Sequence, residues 1–485
     1  MVTINKDAEL NFDFAIIGGG PAGMAAAIQA AKHGVKIALL DERVTLGGQI
    51  YKQLGRGFKI ANQTQLQVPP KIGQNLIADF DKQSISLFLK SAVVSIEEDH
   101  LLFATEDEQV SRLKFKKLLI ATGAYDRPVA FPGWTLPGVI TAGAAQTLVK
   151  TQRVLPGSRI LFAGSGPVAL AFPAQLAGYG ANIVSVLEAG SAPTPLNVLG
   201  LLAASTGNWD LISDAMKYRL ALLRKRIPVK YRTIIVQAHG IERVEAVTIA
   251  KVDRNWRVKK GTSKRIEVDT LCLGYGFLPS NELLKLVGCD FEYQESKGGY
   301  VAQTDEWGRT SVPNVYAVGD GAGVEGSYIA ISRGNLVGIS VAQELGLLNL
   351  SQAREKAEQF HTETKERRRF QSALRSMFDV KQGIFELASD ETIICRCEIL
   401  TKLDIDRVID STADLSVVKA YTRAGMGPCQ GRNCQRQISA MVAQRHGIDI
   451  ADVHQGTPRF PVKPVALGAI ADETVSDQKY FFDGK

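Results

Sequence analysis

Four cysteines near the carboxyl end of the chain are spaced so that they could bind a metal cluster. They form a C-x-C pair and a C-x4-C pair: Cys395, Cys397, Cys429 and Cys434. With only six cysteines in 485 residues, such a cluster indicates metal binding rather than a disulfide scaffold. Structural zinc sites favour cysteine pairs separated by roughly two to four residues. Four thiolates shared between two irons accept more varied spacing, so an iron–sulfur cluster is favoured over zinc.

The surroundings of the cysteines carry further predictions. Helices predicted to begin just after Cys397 and at Cys434 would supply N–H groups and partial positive charge to the sulfurs. The first of these helices begins with a capping-box-like Thr401 and Asp404. The other two cysteines, Cys272 and Cys289, stand alone beside apolar residues and are predicted to be buried.

A second constellation, near the amino end, has the spacing of a dinucleotide-binding site. An apolar run at 14–17 leads into a G-x-G-x-x-G turn, a small-residue helix, and an apolar strand that ends in an acid. In this fingerprint the glycines allow the turn and the approach of a pyrophosphate, which the helix N-terminus attracts. The acid reaches the ribose hydroxyls. A glycine-rich turn without a nucleotide is the alternative. The predicted binding residues are Gly18, Gly20, Pro21, Ala22, Gly23, Asp41 and the adjacent Glu42.

Three later segments have residues suited to the same ligand. A glycine pair after the acid lets the backbone lie against a flat ring, because no Cβ stands in the way. A buried strand ends in Thr-Gly, and another ends in Gly-Asp, whose carboxylate could accept ligand hydroxyls or instead cap a turn. These segments are Gly47, Gly48 and Gln49; Ala121, Thr122 and Gly123; and Gly319 with Asp320.

The nucleotide-binding pattern is repeated. A strand at 160–163 meets Gly164 and Gly166, a small-residue helix follows, and the next strand ends in Glu188, with Ala169 replacing the third glycine. We therefore predict an α/β fold with two nested dinucleotide-binding (Rossmann-like) domains. The segment 191–230 departs from the repeat. Its stripe Ile212, Met216, Leu220 and Leu223 predicts a helix whose apolar face packs in the core.

Composition limits the class of protein. Apolar residues make up 45% and charged residues 22%, as in ordinary soluble proteins, and the net charge is +7. The basic clusters at 224–226 and 365–369 lack interleaved aromatic residues, so nucleic-acid binding is not predicted. The uncharged stretch 160–187 is broken by glycine and proline, and no signal peptide is visible. We expect a cytoplasmic protein without a transmembrane segment, with peripheral association with a membrane as an option.

Together these motifs resemble the two-dinucleotide-domain flavoproteins of the pyridine-nucleotide–disulfide reductase superfamily. The cysteine motif with residues 423–434 resembles the bacterioferritin-associated-ferredoxin-like (BFD-like) [2Fe–2S] domain, although the best-known members of that family end in C-x2-C. The whole arrangement, including the proline-rich tail at 458–464, is similar to the flavin/iron–sulfur subunits of opine oxidases acting on octopine or nopaline. Hydrogen cyanide synthase and dye-linked proline or hydroxyproline dehydrogenases are related assemblies.

The resemblance implies cofactors for each part of the chain. FAD would lie on the first fingerprint, with Asp41 on the adenosine ribose, residues 47–49 near the flavin and Asp320 on the ribityl chain. A [2Fe–2S] cluster would lie on the four cysteines. This chain has no cysteine pair where disulfide reductases carry one, so dithiol chemistry is excluded. No arginine-rich stretch follows Glu188, which argues against NADP and leaves NAD or another adenine nucleotide as options for the second domain.

The implied domains follow the same order. They are an FAD-binding domain at 1–150 and 267–350, a second nucleotide-binding-like domain at 151–266 with an insertion at 191–230, a helical connector at 351–390, a small α-helical BFD-like [2Fe–2S] domain at 391–450, and an extended tail at 451–485.

The implied function is that of an electron-transfer component in a multi-subunit opine or amino-acid dehydrogenase. A partner flavoprotein similar to glycine or D-amino-acid oxidases would oxidise the substrate. A small ferredoxin-like protein is an optional further member, and a quinone or carrier would be the acceptor. No catalytic residue for amine oxidation is identified on this chain. The alternatives are an NAD(P)H-dependent FAD/[2Fe–2S] reductase, a subunit of hydrogen cyanide synthase or of D-hydroxyproline or proline dehydrogenase, and a non-enzymatic electron carrier.

Overall fold

The computed structural model of the chain describes residues 10–55, 57–58, 70–107, 109–375 and 377–470. Its strands are β1 Leu10–Ile17, β2 Ile37–Asp41, β3 Ser86–Leu89, β4 Ala92–Glu97, β5 His100–Ala104, β6 Val110–Ile120, β7 Ala124–Asp126, β8 Val139–Thr141, β9 Ile160–Gly164, β10 Ile183–Glu188, β11 Val229–Tyr231, β12 Thr233–His239, β13 Ala246–Lys251, β14 Lys264–Glu267, β15 Thr270–Gly274, β16 Phe277–Pro279, β17 Phe291–Gln294, β18 Gly299–Ala302, β19 Val315–Ala317, β20 Ile393–Cys395 and β21 Leu400–Thr401. Its helices are α1 Pro21–Ala31, α2 Lys71–Asp81, α3 Ala142–Lys150, α4 Pro167–Gly178, α5 Pro195–Ala203, α6 Trp209–Arg224, α7 Glu282–Leu286, α8 Ser327–Glu344, α9 Leu350–Arg375, α10 Lys402–Ile409, α11 Leu415–Thr422 and α12 Gln435–His446.

The first sheet is organised around β1, which is apolar on both faces and lies between two parallel neighbours. Ile16 is paired with Leu39 of β2 on one side and with Leu119 of β6 on the other. The predicted buried strand that ends in Thr-Gly is the carboxyl-terminal half of a longer strand, β6. The amino-terminal half of β6 pairs with β5, and the carboxyl-terminal half pairs with β19. Both partners lie on the same side of β6, which therefore continues as one strand from the first partner to the second.

Two glycines of α8 bring that helix close to α1. A Cβ atom added to Gly334 would lie 2.3 Å from the carbonyl oxygen of Ala22, and one added to Gly338 would lie 2.7 Å from that of Ala26. Any larger residue would push the helices apart. The two glycines of α8 therefore allow the helix that follows Asp320 to pack closely against the fingerprint helix α1.

The second sheet repeats the first, with strand order β11-β10-β9-β15-β8 and parallel pairing throughout. Two of its strands, β8 and β15, come from segments that the sequence prediction placed in the first domain. The segment 191–230 contains α6 and leads to the edge strand β11, just as α2 leads to β3 in the first unit. It therefore takes the place of the crossover to the third strand in the repeat.

The prediction that the apolar stripe of α6 packs in the core is wrong. Met216, Leu220 and Leu223 are 67%, 46% and 56% exposed, whereas Leu222 is fully buried. The helix packs on α4 through the face that carries Tyr218, Ala221 and Leu222. Helical periodicity identifies an apolar stripe, but it does not determine whether the rest of the chain covers that stripe.

The carboxyl-terminal region shares a core with the second unit. The indole Nε1 of Trp134 donates a hydrogen bond to the carbonyl oxygen of Ile393 at 2.6 Å, immediately before the first cysteine pair. The predicted capping box of Thr401 and Asp404 is present at the start of α10. In the tail, Val462 is buried in the core of the first unit and its N–H donates to the carbonyl oxygen of Val94, as expected for a segment that lies on another surface.

No helix within the described ranges has the length and hydropathy needed to cross a bilayer. Two stretches covered by the domain predictions lie outside the described residues: residues 1–9 of the first domain and residues 471–485 of the tail.

Candidate cofactor sites

The fingerprint turn has the backbone geometry that its glycines predict. Gly18 has a φ of 108°, and a Cβ atom there would lie 2.3 Å from the carbonyl oxygen of Ala121. A Cβ atom on Gly23 would lie 2.0 Å from the carbonyl oxygen of Gly18. Gly20 caps α1, with Pro21 as its first residue and Ala22 buried behind it. Only glycine allows this turn to lie so close to both the helix and the neighbouring strand end.

The other predicted segments meet at this turn. The N–H of Gly47 donates to the carbonyl oxygen of Gly19 at 2.9 Å, and a Cβ atom on Gly48 would lie 3.0 Å from the Cα of Gly20. On the other side, a Cβ atom on Gly319 would lie 3.0 Å from the Cβ of Ala22. These contacts bring three of the predicted segments together at the amino terminus of α1.

The fourth segment completes the group. A Cβ atom on Gly321, next to Asp320, would lie 2.9 Å from Thr122 Oγ1 and 3.1 Å from the N–H nitrogen of Gly123. The four segments, separated by up to 300 residues in sequence, therefore form one cradle lined by backbone.

The two neighbouring acids at the end of β2 have different roles. Asp41 is 8% exposed, and its two carboxylate oxygens accept hydrogen bonds from the N–H groups of Gly19 at 2.7 Å and Arg43 at 2.8 Å. Burial raises the pKa of Asp41, and the two hydrogen bonds oppose that effect. Glu42 instead points to the tail and forms an ion pair with Lys463. The structure brings Asp41, but not the Glu42 carboxylate, to the turn.

Asp320 was predicted either to accept ligand hydroxyls or to cap a turn, and its two carboxylate oxygens differ in this respect. Its Oδ1 accepts hydrogen bonds from the N–H groups of Glu325 at 2.9 Å and Gly326 at 2.8 Å, so it caps the turn before α8. Within the described residues, Oδ2 has no hydrogen bond from the protein. Burial raises the pKa of Asp320. One oxygen therefore orders the loop, and the other is available to a ligand hydroxyl.

Two buried lysines next to this cradle were missed by the sequence analysis. Lys52 is 4% exposed and bonds to the side chain of the exposed Gln49, and Lys150 is 8% exposed at the end of α3. Burial lowers the pKa of each ammonium group to about 8. Neither lysine lies in a motif, so no local signal in the sequence could have identified them.

In the second unit, the acid is bound by its own loop. Glu188 is 1% exposed and accepts hydrogen bonds from Ser165 Oγ at 2.8 Å, from the N–H of Gly166 at 3.0 Å and from the N–H of Gly190 at 2.7 Å. Burial raises its pKa to about 7, against the effect of these three donors. Gly164 packs against Gly274, where a Cβ atom would lie 2.2 Å from a carbonyl oxygen.

The turn of the second unit is also covered by the chain itself. A Cβ atom on Gly166 would lie 3.7 Å from the Cβ of Phe378, and one on Gly190 would lie 3.6 Å from the carbonyl oxygen of Met377. These two residues follow α9 in sequence. The first and second fingerprints therefore differ in surroundings, although their strands and turns are alike.

The four cysteines meet as two pairs. The Cys434 side chain interacts with the Cys395 sulfur, which lies near the backbone N–H groups of Gly425, Glu398 and Cys397. The Cys434 thiol also donates to the carbonyl oxygen of Gly431 at 4.0 Å. The interaction with Cys434 is the main cause that lowers the pKa of Cys395 to about 5. In the second pair, Cys397 bonds to Cys429. Within the described residues no group of three or more His, Cys, Asp or Glu side chains is arranged around one metal-ion position.

The source of the N–H groups near the cysteines differs from the prediction. Cys434 is the N-cap of α12, as expected, but α10 begins only at Lys402, five positions after Cys397. The donors to the Cys395 sulfur therefore come from loops rather than from a helix N-terminus. Cys272 and Cys289 are buried, as predicted.

A chain of polar contacts joins the two sites. The N–H of Ser280 donates to the carbonyl oxygen of Gly123 at 2.9 Å, and Ser280 Oγ donates to Glu282 at 3.0 Å. Glu282 forms an ion pair with Arg432, whose Nη1 donates to the carbonyl oxygen of Cys429 at 3.2 Å.

Two nested nucleotide-binding folds, followed by a helical domain with four paired cysteines, define a redox protein that holds a nucleotide cofactor. The chain belongs to the pyridine nucleotide-disulphide oxidoreductase family, whose model matches residues 12–205 and 212–345. Residues 391–473 match the sarcosine oxidase A3 domain.

Similarity to known proteins covers almost the whole chain. The HcnB subunit of hydrogen cyanide synthase from Pseudomonas protegens is 33% identical over 95% of this chain and 98% of its own length. An opine oxidase subunit from Agrobacterium tumefaciens is 30% identical over 97% of this chain and 93% of its own. The crystal structure of L-proline dehydrogenase from P. horikoshii has the same fold, with a TM-score of 0.66 over 95% of this chain and 80% of that chain at 21% identity. The resemblance to the pyridine-nucleotide–disulfide reductase superfamily and to subunits of opine oxidase and hydrogen cyanide synthase is confirmed.

Proposed function

We propose that this chain is the FAD- and [2Fe–2S]-binding electron-transfer subunit of a multi-subunit dehydrogenase that cleaves an N-alkyl amino acid such as octopine or nopaline. The observation that carries the proposal is the presence, on one chain, of a dinucleotide cradle and a paired four-cysteine site. FAD supplies two-electron chemistry when bound, and a [2Fe–2S] cluster supplies one-electron transfer, so the pair suits a protein that links an organic donor to a carrier.

The cradle fits FAD. Glycine backbone at Gly18, Gly20 and Gly48 leaves room for a pyrophosphate and a flat ring, because a Cβ atom at Gly18 or Gly48 would meet neighbouring backbone. Asp41 would hold the adenosine ribose and the free Oδ2 of Asp320 the ribityl chain. Lys52 would place a positive charge beside the segment that approaches the flavin.

The cysteine site fits a two-iron cluster better than a single zinc ion. Zinc needs four ligands converging on one position, whereas a [2Fe–2S] cluster takes two thiolates on each of two irons. Cys395 with Cys434 and Cys397 with Cys429 supply two thiols per pair. The backbone N–H groups around Cys395 would stabilise the negative charge of a thiolate cluster.

The proposal that another subunit oxidises the substrate rests on the groups around the cradle within the described residues. The groups that surround the cradle are glycines, two acids engaged with backbone and two buried lysines, and none forms a His–acid pair for proton abstraction from an amine. Named relatives are subunits of hydrogen cyanide synthase and opine oxidase. We infer that a partner flavoprotein oxidises the C–N bond and that this chain accepts the electrons for a quinone or carrier.

An NAD(P)H-dependent reductase is the competing function, since the second unit carries the fingerprint Gly164-x-Gly166. The surroundings of that turn argue against it. Glu188 already accepts three hydrogen bonds from its own loop, and Phe378 lies close to Gly166, where a dinucleotide pyrophosphate would have to approach.

The test is to produce this chain alone and together with its partner subunit. The isolated chain should contain FAD, iron and acid-labile sulfide, yet fail to reduce a dye with octopine, nopaline, proline or glycine. Co-production should restore dye reduction with one of these substrates. Turnover by the isolated chain would refute the division of labour, and zinc in place of iron in anaerobically purified protein would refute the cluster.

A further inference from the structure

Helix α5 is an apolar helix that buries none of its residues in this chain. Leu196, Leu199 and Leu202 are 78%, 64% and 44% exposed, and Val198 is 46% exposed. Its polar side chain, Asn197, is used to close the capping box with Thr194. An isolated exposed leucine is ordinary in a soluble protein, but a whole helix of them marks a surface that is covered in the working molecule.

Helix α6 continues this surface with one apolar face. Trp209, Met216, Leu220 and Leu223 are 63%, 67%, 46% and 56% exposed, and they recur at helical spacing. We call the exposed residues of α5 and α6 the apolar surface; it comprises Leu196, Val198, Leu199, Leu202, Trp209, Met216, Leu220 and Leu223.

Both helices are anchored to the same part of α9. Arg369 donates to the carbonyl oxygen of Ala203 at the end of α5, at 3.1 Å. Arg367 donates to Asn208 and to Asp210, each at 3.0 Å, at the start of α6. The apolar surface is therefore held in place by specific contacts, and its exposure is part of the folded structure.

The charges that accompany this surface are positive. The two acids of α6 are neutralised within the chain, Asp210 by Arg367 and Asp214 by Lys217. Glu366 lies beside Gly207 in the link between the helices and is the other acid near them. In contrast, four cations at the far end of α6 form no ion pair within the described residues: Arg219, Arg224, Lys225 and Arg226.

We propose that α5 and α6 dock this chain on the surface of an anionic lipid bilayer. Leucine, tryptophan and methionine side chains would enter the boundary between headgroups and acyl chains, while the four unpaired cations would contact lipid phosphates. This is the composition of a helix that lies in the plane of a membrane interface. Each cation near such a surface contributes to binding, and the contribution falls with salt.

The scarcity of polar side chains on α5 favours lipid over a protein partner. Protein–protein interfaces carry about one hydrogen bond per 100–200 Å². The one polar side chain of α5 is Asn197, whose Oδ1 already accepts two hydrogen bonds from Thr194, so only its amide NH2 group is left for a protein partner. Hydrocarbon needs no such group, and anionic headgroups match the basic end of α6 without a specific partner geometry.

Docking on lipid would also suit the acceptor. The proposed function hands electrons to a quinone or carrier, and a lipid-soluble quinone is reached only at the membrane. This consequence rests on the proposed function, whereas lipid binding itself does not, so the two can fail separately.

The test is flotation of the full-length chain with vesicles of phosphatidylcholine alone and of phosphatidylcholine with about 30% phosphatidylglycerol. The variant pair is Leu196→Glu with Leu199→Glu. The matched control is Ile241→Glu, which changes a residue that is 91% exposed between β12 and β13, away from α5 and α6. Far-ultraviolet circular dichroism and thermal unfolding establish that each variant is folded.

Wild type and the Ile241 control should float with the anionic vesicles. The double variant should bind at least about tenfold more weakly, since two leucines that would enter the membrane become charged. Neutral vesicles and raised salt should weaken binding. Trp209 should be quenched by brominated lipid, because the other tryptophans are less accessible: Trp134 and Trp256 are buried and Trp307 is half-buried.

Three outcomes would overturn the proposal. One is failure of the wild-type chain to bind anionic vesicles. The second is equal loss of binding in the Ile241 control, which would mean that α5 is not the contact. The third is a dimer in lipid-free solution, or a complex with the partner subunit, in which Trp209 is already shielded from aqueous quencher. That result would assign the surface to a protein.

Discussion

Arg432 and Glu282 form an ion pair, with 3.0 Å between Arg432 Nε and Glu282 Oε1, that joins the cysteine loop to the first nucleotide unit. Both side chains are mostly buried, at 20% and 16% exposure. Arg432 also donates to the carbonyl oxygen of Cys429, and Glu282 accepts from Ser280, which bonds to Gly123. Side-chain contacts, as well as the backbone, therefore connect the two candidate sites.

The first prediction concerns this pair. Glu282→Gln should lower the free energy of unfolding by about 1–3 kcal/mol, because it leaves the Arg432 guanidinium poorly compensated in a mostly buried position. Urea unfolding monitored by circular dichroism measures the change. The control is Arg257→Gln, which breaks an exposed pair with Glu386 and should have a much smaller effect on stability. Equal effects of the two changes would contradict a role for the Arg432–Glu282 pair in joining the domains.

The second prediction uses two adjacent acids. Asp41→Ala should weaken FAD binding by roughly tenfold or more, since charge-assisted hydrogen bonds contribute about 1.5–3 kcal/mol. Glu42→Ala is the matched control and should leave FAD binding unchanged, because that carboxylate is engaged with Lys463 in the tail. Titration of the flavin-free protein with FAD, followed by flavin fluorescence, measures both. If the Glu42 variant were the weaker binder, the site would be misassigned.

Asp320 provides a third prediction. Asp320→Asn keeps an oxygen to accept the N–H groups of Glu325 and Gly326 but removes the negative charge that the free Oδ2 would offer to a ligand. We expect an unchanged melting temperature of the flavin-free protein together with weaker FAD binding. A drop in the melting temperature of the flavin-free protein, with FAD affinity retained, would show that Asp320 only caps the turn.

The cysteine pairs give a fourth prediction. Serine in place of Cys395, Cys397, Cys429 or Cys434 should each abolish the visible absorption of the cluster and reduce iron and sulfide in the purified protein, because each iron loses a thiolate ligand. Cys289→Ser is the control, since Cys289 is buried away from the pairs in the core of the first unit. Full iron content in any one of the four variants would remove that residue from the ligand set.

The fifth prediction is a pH dependence. Glu188 has a pKa of about 7 in the folded chain against an ordinary value of 4.5, so the folded state binds the proton more tightly than the unfolded state. The resulting stabilisation is fully present below pH 4.5 and is lost as the pH rises through 7, a change of up to about 3 kcal/mol. The Glu188→Gln variant has no ionisable group at this position and therefore lacks this pH dependence.

Urea unfolding at pH 5 and pH 8 tests this prediction. The stability of wild type relative to the Glu188→Gln variant should fall by about 2–3 kcal/mol between the two values. Glu267→Gln, which removes an exposed carboxylate on β14, serves as the matched control for the loss of one acid. A constant difference between wild type and the Glu188 variant would mean that Glu188 is ionised in the folded chain throughout this range.

Much of the architecture followed from local patterns. Apolar strands such as β1 and β9, the glycine turns after them and the acids that close β2 and β10 are encoded within about thirty residues each, so periodicity and spacing were sufficient to predict them. The capping box at Thr401 is local in the same sense. Because these features depend on near neighbours in the chain, the family to which the protein belongs could also be identified from them.

Other features depended on residues far apart in sequence. The apolar stripe of α6 was predicted to lie in the core, but only the packed structure shows that α4 takes the opposite face and leaves Met216 and Leu220 exposed. Likewise, two fingerprints that look alike in sequence differ because Phe378, more than 200 residues after Gly166, lies over only the second.

The sequence by itself determined the two nucleotide units, the fingerprint glycines, Asp41 and the four cysteines, since each depends on residue type and short spacing. Only the tertiary structure decided that Lys52 and Lys150 are buried beside the first site, that the four cysteines come close enough to interact, and that Glu188 is bound by its own loop. Burial and pairing depend on which distant segments meet, and no local pattern carries that information.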